Sequence, residues 1–328
     1  MGSVISVIRS RFPPPPTFAE KDIPPLNGRV FIVTGGYSGV GLELARMLFH
    51  AGGKVYIAGR SKQKAEAAMK DILDSTAPSV DNVSNKDREK NLVFLRLDLA
   101  DLTTIKDSAR EFLDKEDRLD VIWHNAGVML GVNALGPWLF QYFLTPLCLK
   151  TAAREDVPRF ATRVIFVTSN AHSSGPEPDG VNWEDLNLST SGKVGTAWNL
   201  RRYGQSKAMN VMHAHELARR YASQGLIALS VHPGALKTQL QQHLPWWLDA
   251  IFASTRYPPR YGALSELYAG FNSEVDTTML EDGGRNGGYV LPWGQFGEGA
   301  KHVFSGLTER NTGERLWKMC EEMLRDYM

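Results

Sequence analysis

Cysteine is nearly absent: Cys148 and Cys320 are the only two in 328 residues. Two distant thiols make no disulfide framework and no cysteine-based zinc site, and they fit a reducing compartment. No charge of one sign prevails either, since 37 Lys and Arg oppose 36 Asp and Glu for a net charge of +1. That balance gives no global attraction to nucleic acid or to an acidic membrane surface, and neither is expected as a partner. Long hydrophobic runs are also missing: none reaches the roughly 18 residues a spanning helix needs. Val4 to Ile8 is too short for a secretory signal, with Arg9 and Arg11 close behind. A cytoplasmic location is therefore expected. Disorder is excluded from the other side, because 43% of residues are hydrophobic and 22% are charged. A chain of this length can bury about three quarters of its unfolded surface.

Residues 1–27 differ from the rest. Pro13 to Pro16 and Pro24-Pro25 cannot sit inside a helix or a central strand. They mark an extended N-terminal arm, lying on the domain or loose, ahead of one domain over residues 28–328. Met1-Gly2-Ser3-Val4-Ile5-Ser6 matches the N-myristoylation pattern, which needs Gly2 and a hydroxyl residue at position six. A chance match in a terminus of small residues is the plainer reading, and one acyl chain gives only marginal membrane binding.

From Arg29 onward, short apolar runs alternate with helical spacing. Strands are expected at Val30–Val33, Val55–Ala58, Leu92–Leu97, Leu119–Trp123, Arg163–Thr168 and Ile227–Val231. Helices are expected at Val40–Phe49, Ala65–Leu73, Ile105–Leu113, Trp138–Ala153, Tyr203–Tyr221 and, amphipathic, Leu316–Tyr327. Residues 75–91 read as a polar loop. Strand and helix in alternation predict an α/β fold: a Rossmann-type doubly wound parallel sheet with helices on both faces, in a single domain. Ligands of such a sheet bind beyond the carboxyl ends of its strands. Those ends carry Thr34-Gly-Gly-Tyr-Ser-Gly-Val-Gly41, Gly59-Arg60, Asp98, Asn125-Ala-Gly127, Ser169 and Pro233-Gly234.

The first of these turns has glycine at 35, 39 and 41. A tight turn there lets the backbone approach a pyrophosphate, with the following helix aiming free N–H groups at the anion. Gly35, Tyr37, Ser38, Gly39, Val40 and Gly41 are accordingly cofactor-binding candidates. The second strand ends in Gly59-Arg60-Ser61-Lys62, with no acidic residue to hold a ribose 2′-hydroxyl. Arg60, with Lys62, suits a 2′-phosphate, so NADP(H) is expected over NAD(H). Tyr203 and Lys207 lie four apart on one helical face. A phenol titrates near 10, too high for acid–base work at neutral pH, and a nearby ammonium is expected to lower it. Ser169 follows the fifth strand, where its hydroxyl can meet a reacting oxygen.

In this order the motifs closely resemble the short-chain dehydrogenase/reductase family over residues 28 to about 240. They are Thr34-Gly-Gly-x-Ser-Gly-x-Gly41, Asn125-Ala-Gly127, Ser169, Tyr203-x-x-x-Lys207 and Pro233-Gly234-x-x-x-Thr238. His124 to Gly127, Val167 to Ser169 and Val231 to Gly234 look most like its retinol-dehydrogenase and WW-domain-oxidoreductase branch. Gly288 to Gly294 is similar to fungal members. The resemblance implies hydride transfer between a nicotinamide coenzyme and a carbonyl or alcohol carbon. Tyr203 would be the general acid or base, and Lys207 would lower its pKa and hold the coenzyme ribose. Ser169 would orient the substrate oxygen, and Asn133 would complete a proton relay. Asp98 would sit at the adenine, Asn125 near the ribose and Thr238 at the carboxamide.

One segment departs from the pattern. The family's relay asparagine comes much farther after the Asn-Ala-Gly motif than Asn133 comes after Gly127. Either the connection is re-routed so that Asn133 still reaches the site, or the site is damaged. In the second case the chain is an NADP(H)-binding sensor or scaffold without turnover. On the substrate side, Trp183, Trp198 and Leu244-Pro245-Trp246-Trp247-Leu248 suggest a bulky lipophilic molecule such as a terpenoid, polyketide or long-chain carbonyl, as in secondary metabolism. Ordinary packing explains them equally well. His213 and His215, two apart on a helix, read as structural. Pairing of two copies through the Tyr203 helix is open by analogy.

Overall fold

The computed structural model describes residues 12–75, 89–127, 131–189, 195–236 and 257–328. Its strands are β1 (Val30–Thr34), β2 (Lys54–Gly59), β3 (Leu92–Arg96), β4 (Val121–His124), β5 (Arg163–Val167), β6 (Ile227–Val231), β7 (Tyr289–Leu291) and β8 (Gln295–Phe296). They form one eight-stranded sheet in the order β3-β2-β1-β4-β5-β6-β7-β8. All pairings are parallel except β7 with β8. The order reverses between β1 and β4, and this is where a doubly wound sheet opens its crevice.

β1 (VFIVT), β5 (RVIFV) and β6 (IALSV) are buried at every position. Continuous burial is what a parallel sheet covered on both faces demands. One face is covered by α1 (Gly39–His50) and α6 (Pro259–Phe271). The other is covered by α3 (Ile105–Leu113), α4 (Gly136–Ala152), α5 (Thr196–Tyr221) and α8 (Thr312–Met323). Beside β2 and β3 runs α2 (Lys62–Asp74), and α7 (Lys301–Glu309) precedes α8.

Two buried charged residues fix strand starts. Asp120 accepts the Val30 N–H at 2.9 Å and takes Arg118 at 2.9 and 2.6 Å, tying β4 to β1. Arg163, 4% exposed, donates to the carbonyls of Phe160, Ala269 and Asn272 at 3.1, 3.0 and 2.6 Å. Its guanidinium thereby closes the negative end of α6, where a cation is favoured. Burial lowers its pKa to about 10, so it remains charged at neutral pH.

Several elements extend beyond the sequence reading. α5 starts at Thr196, seven residues before Tyr203, where the Trp198 indole donates to the Leu188 carbonyl at 3.0 Å. α6, α7, β7 and β8 were not expected. The described part of the arm lies on the domain. Thr17 donates to the Gly294 carbonyl at 2.5 Å, Glu20 pairs with Arg260 at 2.9 and 2.8 Å, and Leu26 is fully buried. Gly2 and its acylation pattern fall outside the described residues.

α5 is buried without interruption from Gly204 to Ala218. α8 lies along it so closely that a Cβ on Gly313 would stand 3.2 Å from the Glu216 Cβ. Trp317 of α8 packs edge-on against Trp138 of α4 at 5.2 Å and under Arg220 of α5 at 4.3 Å. From Gly204 to Ala218 the Tyr203 helix is thus covered within the chain, while Leu200 near its start is 49% exposed. Trp317 is 5% exposed. Trp317→Ala is therefore expected to cost about 3–5 kcal/mol, read as a lower urea midpoint with unchanged slope; a change near zero would show that α8 is not part of the cooperative core.

Candidate active site

The crevice begins where three strand ends lock together. The Gly35 N–H donates to the Ala58 carbonyl at 2.7 Å, joining the β1 turn to β2. Asn125 Nδ2 donates to the Thr34 carbonyl at 2.9 Å, and the Ala126 N–H donates to Thr34 Oγ1 at 2.9 Å, joining it to β4. Gly35 and Gly39 have φ of +70° and +57°, where a side chain is strained. A Cβ on Gly41 would lie 2.6 Å from Asn125 Nδ2 and 2.8 Å from the Gly35 carbonyl. Asn125 is therefore a clamp on the turn.

α1 leaves this turn with its N-terminus open. Ser38 is the N-cap residue, but its hydroxyl makes no capping bond. A Cβ on Gly39 would meet nothing within 4 Å. Val40 points the other way, 9% exposed and close enough to α6 that a Cβ on Gly262 would stand 3.0 Å from it. Any part it takes in binding is by its backbone. The Tyr37 ring covers the end of β2, where a Cβ on Gly59 would be 2.2 Å from Tyr37 Cε1. Arg60 is exposed and makes no ion pair among the described residues. Lys62 pairs loosely with Glu66 at 3.7 Å on the surface, an arrangement that contributes little. Asp98 closes its own turn, accepting the Ala100 N–H at 3.0 Å. Thr238 lies outside the described residues, as do Met129 and Leu244 to Leu248. Uncapped N–H groups, open space over Gly39 and an unpaired guanidinium fit the phosphates of a dinucleotide.

Beyond this turn, the Ser169 hydroxyl is near enough to the Tyr203 phenol to favour its ionised form. Lys207 Nζ stands 5.7 Å from the centre of the Tyr203 ring and donates to the Val167 carbonyl at 2.8 Å. Asn210 Nδ2 donates to the same carbonyl at 3.0 Å, and Thr168 Oγ1 donates to the Lys207 carbonyl at 2.7 Å. Gly204 lets α5 come this close, since a Cβ there would stand 2.4 Å from the Ala171 carbonyl. Burial pushes the Tyr203 phenol up to about 12, against the opposing Ser169 hydroxyl. The expected lowering by Lys207 is thus not what the geometry gives. Desolvation dominates, and the ammonium is turned to a carbonyl. The same desolvation lowers Lys207 to about 8.

The short connection after Gly127 ends in a π-helical turn, Gly131–Leu135. It delivers Asn133, 1% exposed, to the base of the site. Asn133 Nδ2 donates to Ser206 Oγ at 2.7 Å, and Ser206 Oγ donates to the Tyr203 carbonyl at 2.8 Å. Asn133 Oδ1 is buried and unpartnered; a Cβ on Gly127 would lie 2.4 Å from it and 3.0 Å from Lys207 Nζ. Asn133, Lys207, Tyr203 and Ser169 therefore converge. π turns recur at functional sites because they re-aim side chains within a helix.

Trp183 is not in this group. Its indole donates to Asp179 at 2.9 Å, and Arg315 covers its ring at 4.5 Å. Two neighbours went unread in the sequence. Glu266 of α6 is fully buried, and neither carboxylate oxygen has a hydrogen-bond partner among the described residues. Burial raises it to about 8, opposed by the charge of Lys207. His172, three residues after Ser169, is also fully buried; the spacing Ser-x-x-His was its only signal.

Comparisons agree with this geometry. The family model described as short chain dehydrogenase matches residues 29–138. A short-chain dehydrogenase/reductase of Armillaria gallica is 35% identical over 342 residues, covering 100% of each chain. A crystal structure of a putative uncharacterized protein from Mycobacterium paratuberculosis is 25% identical, with a TM-score of 0.64 over 94% of this chain and 97% of its own. The Pseudomonas aeruginosa RhlG/NADP active-site complex is 20% identical, with a TM-score of 0.57 over 82% and 96%.

Gly41→Ala forces Asn125 from its clamp. A packing clash of this kind costs about 1–3 kcal/mol, so NADPH affinity should fall about ten- to a hundredfold by fluorescence titration. An unchanged Kd would remove this turn from the coenzyme site.

Proposed function

This chain belongs to the short-chain dehydrogenase/reductase family, and from that premise we propose that it is an NADP(H)-dependent reductase or dehydrogenase of lipophilic carbonyls or alcohols. The observation that carries the reading is the convergence of Tyr203, Ser169, Lys207 and Asn133 beside the open N-terminus of α1. NADP(H) is supported by Arg60, which is exposed at the end of β2 and makes no ion pair among the described residues, and by the absence of an acidic residue there. The RhlG complex with NADP shares the fold.

When bound, the coenzyme supplies or accepts hydride. In the reductive direction Ser169 Oγ and Tyr203 Oη hold the substrate oxygen, and Tyr203 gives it a proton as the hydroxyl forms. In oxidation Tyr203 takes that proton. With its phenol raised by burial, Tyr203 is protonated at neutral pH, the form that reduction starts from. Lys207, charged below about pH 8, holds the ribose and stabilises the phenolate left behind. Asn133 Oδ1 would accept from a water of the relay that returns a proton to Tyr203. Asp98, Asn125 and Thr238 line the coenzyme.

A lipophilic substrate is supported by the ring cluster Tyr257, Tyr261 and Trp293, packed at 4.5 and 4.7 Å. The cluster stands beside Gly234, whose Cβ position is 3.4 Å from the Trp293 indole nitrogen. A product of secondary metabolism is the substrate class we favour, acted on in the cytoplasm. No helix among the described residues is long and apolar enough to cross a membrane. The sensor or scaffold reading drew on the short Gly127–Asn133 connection; it predicts NADPH binding without turnover.

The test is NADPH oxidation with a panel of apolar ketones and aldehydes. Tyr203→Phe should lower kcat by about 10²–10⁴ while leaving NADPH Kd unchanged; undiminished turnover would refute the assignment. The pH profile tests Lys207 separately. Its folded-state pKa lies below that of a free lysine, so charge is lost as pH rises through about 8. Accordingly kcat/KM for NADPH should fall above that pH. A flat profile from pH 7 to about 10, where an unperturbed lysine titrates, would count against the buried ammonium.

A further inference from the structure

His172 lies in the 3-10 turn Asn170–Ser174 that follows Ser169, and it is fully buried. Both of its ring nitrogens are engaged, by partners with fixed roles. Nδ1 faces the Ser169 carbonyl at 2.6 Å, and a carbonyl can only accept. Nε2 faces the Ala300 N–H at 2.8 Å, and that group can only donate. One form of imidazole satisfies both: neutral, with the proton on Nδ1. The ring is held from other sides as well. Tyr289 of β7 meets it edge-on at 5.2 Å, Phe304 of α7 lies at 6.3 Å, and a Cβ on Gly299 would be 2.7 Å from Nε2.

The two segments His172 joins are distant in sequence. One is the turn carrying the hydroxyl near Tyr203. The other, Gly299–His302, leads into α7. Together they wall a cavity of about 530 Å³, lined by Asn170, Ser173, Glu177, Ala300, Lys301 and His302. A backbone carbonyl and a backbone N–H joined through one buried ring cannot drift independently.

We propose that His172 is a positioning residue for the reaction. It straps the backbone of Ser169 to Ala300, and so fixes the substrate-holding hydroxyl relative to the Gly299–His302 segment. This rests on the role given to Ser169 and Tyr203 above. The ring touches no reacting atom; its effect passes through the Ser169 backbone. Misplacing a reacting group by about 1 Å can cost about a hundredfold in rate.

Two substitutions separate the halves of the strap. In His172→Asn the amide nitrogen stands close to where Nδ1 stood, keeping the bond to Ser169 and losing Ala300. In His172→Gln the amide oxygen reaches Ala300 and the bond to Ser169 is lost. With NADPH and an accepted ketone, His172→Gln should lower kcat about ten- to a hundredfold at unchanged NADPH Kd. His172→Asn should keep most of kcat and raise KM for the ketone. In the wild-type chain, ¹⁵N shifts of labelled histidine should show the Nδ1–H tautomer at pH 7, a readout independent of turnover. An Nε2–H tautomer, equal kcat in the two variants, or loss of NADPH affinity in step with kcat would overturn the proposal while the wild type remains an active reductase. A wild type that turns over no carbonyl would instead bring down the proposed function, and this role with it.

Discussion

An ammonium taken out of water must be held by something, and in this chain the end of β5 holds it. Lys207 is 3% exposed and has no carboxylate at hydrogen-bond distance among the described residues. The Val167 carbonyl, the last of β5, accepts both Lys207 Nζ and Asn210 Nδ2. A buried charge is tolerated only where such bonds offset its desolvation. The register of α5 on β5 is thereby fixed at two points one helical turn apart, with Thr168 Oγ1 adding a third contact at the Lys207 carbonyl. Tyr203, one turn earlier on the same helix, is aimed by that register. Glu266 works from the opposite face of the sheet. Its carboxyl and the Lys207 ammonium each oppose the other's tendency to neutralise.

Close approach is the second constraint, and glycine supplies it where the site needs it. Gly204 admits the Ala171 carbonyl, Gly127 admits Asn133 Oδ1, and Gly41 admits Asn125 Nδ2. Each sits where two site elements meet. A methyl group at any of them would separate groups whose chemistry depends on distances near 3 Å. The pieces that hold the phosphate turn and the acid–base group are in this sense one packing problem.

Periodicity made the central sheet legible: the six strands expected from alternating apolar runs are all present, within a residue or two of the expected ends. The phosphate turn, the Tyr203–Lys207 pair and Ser169 were legible because their spacing is local. β7 and β8 were not, because three- and two-residue strands carry no period. α6 was missed because its burial is nearly all-round, from Gly262 through Gly270, which leaves no polar stripe to read. His172 and Glu266 escaped for a related reason. A buried polar residue is defined by tertiary partners such as Ala300 and Lys207, and no local pattern encodes them. The burial that raises the Tyr203 phenol is tertiary in the same way. From the sequence, Lys207 is a neighbouring charge; in the fold, both groups are desolvated before they interact.

Asn133 follows Gly127 by six residues and still lies against Ser206, at 2.7 Å. An α-helix entered directly after so few residues has little freedom in where its first side chains point. A π turn changes that, because its wider i→i+5 spacing rotates the following residues relative to an α-helix. Asn133 lies at the middle of such a turn, and α4 begins at once with Gly136-Pro137. Gly136 lies against the Leu99 carbonyl, where a Cβ would be 2.4 Å away, so the helix start is pinned to the strand end after β3. Pro137 at the helix start needs no N–H partner. Asn133 is set between Ser206 and Gly127, with its carbonyl oxygen unpartnered among the described residues.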